Sequence, residues 1–327
     1  MLLTRRDAIA GLTGGLSMLV APGARAEAAY PSRLIKLVVP YPAGGTTDLL
    51  GRLVADRLKS TLSATVIVEN KPGAATSLGA EQVARAEPDG YTLLMATSTT
   101  LAINRTLYRQ LPYDPVTDFA AIALVAAVPF VLVISPSLPA RTLGEFIAYA
   151  RQKPGLTYGS AGTGSPQHLG GEMLRAQAGI DIRHVPYRGS IPAMLDVIAG
   201  HISFMVVDLQ PALPQIRDGK LKVLGVTTSR RVAAAPDVPT LAESGLPGFE
   251  LVAWQGVVAP RGTPQPIVDR LAAEIGKLVS DEAARGQFAA LAIEPLPPST
   301  PESFASFIKS EGDRWAAIVK AAGIEPE

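Results

Sequence analysis

Apolar residues follow two alternating rhythms along this chain. Short β-rich runs occur at Leu34–Val39, Thr65–Val68, Tyr91–Ala96, Phe130–Ile134, Thr157–Ser160, Ile202–Val207, Val223–Thr227 and Val252–Val258. Between them, apolar residues recur three and four apart, as in Leu49, Leu50, Leu53, Val54 and Leu58, and again in Ile267, Leu271, Ile275 and Leu278. The first rhythm predicts strands and the second amphipathic helices. Their alternation predicts an α/β architecture with largely parallel sheets. Turn chemistry agrees, since Pro88, Asp89 and Gly90 sit immediately before an apolar strand.

Two longer extended runs break this pattern. "VAAVPFVLVISPSLPART" (Val125–Thr142) ends in prolines and precedes a fresh helix at Leu143, and "LPGFELVAWQGVVAPRGTPQPIVDRL" (Leu246–Leu271) also ends in prolines and leads into C-terminal helices. A chain that leaves one α/β domain, builds a second and returns gives two lobes joined by two crossover strands, with a hinged cleft between them. The expected division is 27–129 with 254–327 for the first lobe and 130–253 for the second. A chain of this length lies where a single core stops growing, and two domains are the default.

The N-terminus indicates an address. Arg5 and Arg6 precede an uncharged stretch from Ala8 to Ala24, followed by the small pair Ala24 and Ala26. A basic region, an apolar region and an A-x-A site predict a signal peptide over 1–26, cleaved near Ala26, so the expected location is the periplasm. The paired arginines point to the twin-arginine route, with an ordinary Sec signal as the other reading. Without the signal, three arginines and one aspartate fewer leave 27 basic and 28 acidic residues of the original 30 and 29. A near-neutral chain without basic runs argues against nucleic acid as a partner. There is no cysteine, which excludes disulfides, thiolate metal sites and a cysteine nucleophile. His168, His184 and His201 lack metal-ligand spacing, so neither a metal nor a cofactor is expected.

Two glycine-rich turns carry the candidate chemistry. In "PAGGTTD" (Pro42–Asp48), Gly44 and Gly45 let backbone approach a ligand, Thr46 or Thr47 could cap the helix that follows, and Asp48 falls in its first turn. A helix N-terminus presented in this way favours an anion, yet the loop lacks the Gly-Lys-Ser/Thr ending of a nucleotide cradle. A plain strand–helix turn is the competing reading. In "LTYGSAGTGSPQHLGGEML" (Leu156–Leu174) a second such turn ends at Ser165, placed to cap a helix, with His168 in the first turn as a surface or cap-region imidazole. Hydrolase readings fail on details: Ser165 is followed by proline and glutamine rather than x-Gly, and Ser306–Lys309 lacks the companion motifs of Ser-x-x-Lys enzymes. Tyr187, Arg188 and Gly189 form a polar turn that opens a helix, with Arg188 available to a carboxylate. Asp208 ends an apolar strand, where it could face a ligand or cap the next segment.

Taken together, "VPYPAGGTTDLLGRLVADRL", "VIVENKPGAATSLGAEQVARAEPDGYTLLMAT", "LPYDPVTDFAAIALV", "YGSAGTGSPQHLGGEML", "HVPYRG", "IRDGKLKVLGVTTSRR", "PDVPTLAESGLPGFE" and "WQGVVAPRGTP" resemble, in order, the Bug-type substrate-binding receptors of tripartite tricarboxylate transporters. The resemblance runs from about Tyr30 to the C-terminus. It implies a type II-like periplasmic-binding-protein fold, a monomer, that closes on a small organic carboxylate and delivers it to integral-membrane permease subunits. A ligand-sensing subunit of a signalling receptor, or a periplasmic serine hydrolase using Ser165 and His168, are the alternatives. By the same resemblance, backbone N–H groups and waters from two loops, Tyr41–Thr47 and Gly159–Ser165, would grip the carboxylate, with Tyr41, Pro42, Ala43, Gly44, Gly45, Thr46, Thr47, Gly162, Thr163, Gly164 and Ser165 lining the site. Ser98, Thr99, His168, Tyr187, Arg188 and Asp208 would meet the far end of the ligand. The chain departs from many relatives in "NKPGAATSLGA", where Ala75 and Thr76 stand in place of glycines.

Overall fold

A computed structural model describes residues 30–326, so the export signal expected at 1–26 lies outside the described residues. Strands are β1 (Ile35–Val39), β2 (Val66–Asn70), β3 (Thr92–Thr97), β4 (Phe119–Ile134), β5 (Leu156–Ser160), β6 (Ile182–Pro186), β7 (Phe204–Asp208), β8 (Lys222–Val226), β9 (Val252–Pro260) and β10 (Glu294–Pro295). Helices are α1 (Thr46–Leu62), α2 (Ser77–Ala84), α3 (Asn104–Leu107, entered through a π-helical turn at Thr99–Ile103), α4 (Leu143–Gln152), α5 (Pro166–Ala178), α6 (Ser190–Ala199), α7 (Leu209–Arg217), α8 (Gln265–Ser280), α9 (Glu282–Ala290) and α10 (Pro301–Ala321).

The lobes are held together by β4. Its residues Phe119–Pro129 pair with β9, whereas Phe130–Ile134 pair with β7 and β8. Strand order across the two sheets is β2-β1-β3-β9-β4-β7-β5-β6, so the long strand is where one sheet passes into the other. Pro129 stands at the changeover, a position where a missing ladder N–H costs little. The expectation of largely parallel sheets is corrected here. β1 with β2 and β3, and β5 with β6 and β7, run parallel, but every pairing of β4 and β9 is antiparallel, because a chain that crosses and returns must reverse.

In the first lobe, Leu50, Val54 and Leu58 of α1 and Leu271 and Ile275 of α8 bury one face of the sheet against Ile35, Leu37 and Val39. On the other face lies α10, which brings Phe304, Ile308 and Trp315 beneath Trp254 of β9. Two expectations fall short of the structure. β4 begins eleven residues before the predicted Phe130, because an alanine-rich run has weak strand propensity. β6 is absent from the predicted set, because an edge strand reading Ile-Arg-His-Val-Pro buries only Ile182.

Candidate functional site

The turn after β1 is fixed by charge before any ligand arrives. Gly44 has φ +86°, a conformation open to glycine, and its N–H donates to Asp48 Oδ2 at 2.9 Å. Arg52 grips the same carboxylate through Nε at 3.0 Å and Nη2 at 3.1 Å, and Asn70 Nδ2 donates to it at 2.9 Å and to the Tyr41 carbonyl at 3.0 Å. Burial works to raise the Asp48 pKa, but the Arg52, Gly44 and Asn70 donors outweigh it and hold the carboxyl below its ordinary range.

Neither threonine caps the helix, contrary to the sequence expectation. The N-cap of α1 is Gly45, with no side-chain cap. Thr46 Oγ1 instead donates to Asp208 Oδ2 at 2.6 Å, and Thr47 Oγ1 accepts from Gln255 Nε2 at 2.9 Å. The first turn of a 17-residue helix thus keeps its N–H groups and dipole free of a capping side chain.

The opposite wall is built from the second sheet. After β6 the chain turns through Tyr187, Arg188 and Gly189 into α6, whose N-cap Gly189 (φ +117°) also lacks a side-chain cap. Gly189 N–H donates to the Ala161 carbonyl at 3.2 Å, and a Cβ at Gly189 would stand 3.5 Å from Pro42, so the turns from the two lobes nearly touch. Arg188 is exposed and makes no hydrogen bond or ion pair among the described residues. Asp208 occupies the N-cap position of α7 without capping it; its buried carboxylate accepts from Thr46 and, at 2.6 Å through Oδ1, from Gln167 Nε2. Burial raises its pKa above the usual range, against the pull of those two donors.

Between these walls lies a cavity of about 470 Å³. Tyr41 through Thr47, Ser98, Thr99, Arg188 and Asp208 all line it. Gly162, Thr163, Ser165 and Tyr187 line an adjoining space of about 690 Å³ that shares Tyr41, Pro42, Thr99 and Arg188 with the first. Tyr41 closes the boundary, its hydroxyl donating to Thr99 Oγ1 at 3.2 Å and its phenol pKa pushed up by burial to about 12.

Gly164 and His168 line neither cavity. Of the two placements expected, surface or cap-region, His168 takes the second: it is buried, stacked on His184 with ring centroids 3.9 Å apart, and its Nδ1 accepts the Gly164 N–H at 3.2 Å. Burial lowers its pKa to about 4, as a neutral acceptor nitrogen requires. Ser165 does cap α5, accepting the His168 N–H at 3.3 Å while donating to the Gly162 carbonyl at 2.7 Å. The two side chains that a hydrolase would couple are therefore held by other groups.

Sequence reasoning missed Gln167, Ser190, Trp254 and Gln255, all on the walls of the first cavity. Gln255 had a legible signal, a polar side chain inside an otherwise apolar strand. Gln167, Gln255 and Ser98 are at least nine-tenths buried, and Gln167 Oε1, Gln255 Oε1 and Ser98 Oγ meet no partner among the described residues. No group of three metal-ligating side chains occurs among the described residues, and no helix there is long and apolar enough to cross a membrane.

The model of the tripartite tricarboxylate transporter family receptor matches residues 50–324. The chain belongs to this family. Several solved structures are similar to it. A Rhodopseudomonas palustris protein, Rpa4515, with adipate is 36% identical with a TM-score of 0.89, covering 91% of this chain and 100% of its own. The periplasmic binding protein BugD is 36% identical with a TM-score of 0.86, over 91% and 100%. MatC of Rhodopseudomonas palustris, with bound malate, is 34% identical with a TM-score of 0.83, over 89% and 100%. The receptor family and the two-lobed fold with its cleft thus agree with the sequence reading.

Proposed function

We propose that this receptor captures a small organic carboxylate in the periplasm and presents it, by closing its hinge, to integral-membrane permease subunits. One observation carries the reading: two helix N-termini without side-chain caps, those of α1 and α6, face a single cavity from opposite lobes, beside an unpaired arginine. Aimed N–H dipoles and a guanidinium suit a carboxylate and need no bound metal. The adipate and malate held by two similar proteins support the same class. The lobes divide at 27–129 with 254–327 and 130–253, so that the hinge lies where β4 changes partners. The site residues are those of the Tyr41–Thr47 turn, Ser98, Thr99, Arg188 and Asp208, with Gly162, Thr163, Ser165 and Tyr187 as the outer rim. Closure of these walls is what the permease would read.

Thermal unfolding of the chain from Glu27 onward, against small carboxylates and their matched neutral amides, tests this. A ligand at a hundred times its dissociation constant adds about 2.7 kcal/mol. A carboxylate that raises the midpoint while its amide does not supports the reading. Protein unfolded, stripped of any co-purified ligand, refolded and still unmoved by the whole panel would end it.

A further inference from the structure

The N–H-rich turns explain a carboxylate, but not the space that continues beyond them. Past Tyr41, Pro42, Thr99, Ala161, Arg188 and Gly189, which line both compartments, the first cavity adjoins the second, of about 690 Å³. One wall of that outer space runs from Pro72 to Thr76 and includes Leu78 at the start of α2; the other holds Gly162, Thr163, Ser165 and Tyr187. Where it is open, its surface is apolar. Leu78 is 46% exposed, and Pro72 and Ala74 beside it are exposed as well. Most polar side chains around it are already engaged. The Tyr187 hydroxyl donates to Asp196 Oδ2 at 2.5 Å, Tyr41 to Thr99 Oγ1 at 3.2 Å, Ser165 to the Gly162 carbonyl at 2.7 Å, and Thr76 Oγ1 accepts from Thr100 at 3.0 Å. Among the described residues that line it, Arg188 alone is charged, and it stands at the neck.

An exposed apolar wall continuous with an anion site marks where the rest of a ligand lies. Pockets of about 300–1,000 Å³ take ligands of drug size, and a four-carbon acid is too small to fill the first cavity and cover this wall as well. We infer that the ligand is a carboxylate with an apolar body, a polymethylene chain or an aromatic ring, that passes Tyr41 and lies against Leu78 and Pro72. This rests on the carboxylate-capture reading and narrows it. The helix N-termini and Arg188 hold the carboxylate, a task common to any small acid. The outer wall then selects by apolar size, because each methylene it covers leaves water. Leu78 is a specificity residue on this account, and its exposure is the mark of a surface that the ligand covers.

The test is isothermal titration of the mature chain, unfolded, stripped and refolded, with three series that differ in apolar size alone: butyrate, hexanoate and octanoate; succinate, adipate and suberate; benzoate, 4-methylbenzoate and 4-propylbenzoate. In whichever series binds, affinity should rise with size by roughly fourfold for each methylene buried, so that the largest member binds at least roughly tenfold more tightly than the smallest. Leu78→Asn, a change at an exposed position, should flatten that rise while the smallest member binds as before. If the smallest member binds as well as the largest, this inference is overturned while carboxylate capture stands. A rise that survives Leu78→Asn undiminished overturns it too, since the apolar body then lies elsewhere. If no carboxylate in any series binds, the capture reading fails and this one with it.

Discussion

Both tryptophans of the chain, Trp254 and Trp315, donate their indole N–H to one oxygen of one carboxylate. Glu311 Oε2 accepts at 2.8 Å from Trp254 and at 3.0 Å from Trp315, with Arg314 Nη1 at 3.3 and 3.4 Å as a third, looser donor. Trp254 sits on β9 and also lines the cavity between the lobes, so this contact ties the returning crossover strand to α10. Glu311→Ala leaves two buried indole donors without an acceptor. At about 1–3 kcal/mol for each orphaned group, the expected loss is about 2–6 kcal/mol. Glu311→Gln keeps an oxygen between the indoles and turns an amide nitrogen towards Arg314, whose side chain is partly exposed and can swing into water. Its cost should stay under about 1.5 kcal/mol. Equilibrium urea unfolding followed by tryptophan fluorescence reads both rings directly, and far-ultraviolet circular dichroism provides an independent probe. An alanine variant within about 0.5 kcal/mol of the parent, the range of an ordinary surface change, would refute the assignment.

Three further outcomes follow from particular residues. Ala74, Ala75 and Thr76 hold φ of 44°, 46° and 77° in succession, so Ala75→Gly should raise stability by roughly 0.5–1 kcal/mol, and an unchanged or lower thermal midpoint would contradict the strain. His168 and His184 both have pKa values lowered by burial to about 4, so the unfolded chain takes up more protons as the pH falls from 6.5 towards 4, and the urea midpoint should drop across that window; Asp208, its pKa raised, works in the opposite direction, and Asp208→Asn should steepen the drop. Ser165→Ala removes a helix cap and should cost about 1 kcal/mol of stability while carboxylate binding, measured by calorimetry, survives; complete loss of binding would place the serine in the site itself.

What the sequence made legible depended on whether a residue's role is local. Gly44 and the turn around it were readable because a glycine pair between an apolar strand and an amphipathic helix has few uses, and Asp48 anchors that turn from only four residues away. Ser165 was readable for the same reason, as a cap three residues from the N–H it accepts. Thr46 and Thr47 were misread because their partners lie 162 and 208 positions away, and a long-range bond to Asp208 or Gln255 overrides the local capping preference. His168 was readable as a cap-region group but not as a buried one, because its burial depends on stacking with His184, which the pairing of β5 with β6 brings alongside. The strained stretch at Ala74–Thr76 shows the same dependence in reverse. Local sequence argues against left-handed backbone there, yet Asn104 Nδ2 donates to the Ala75 carbonyl at 2.8 Å and Thr100 Oγ1 donates to Thr76 Oγ1 at 3.0 Å, which hold the loop from outside. Glycines would fit that backbone freely, so in this chain the shape of the outer cavity is maintained by a buried asparagine, where a glycine loop would adopt it without strain.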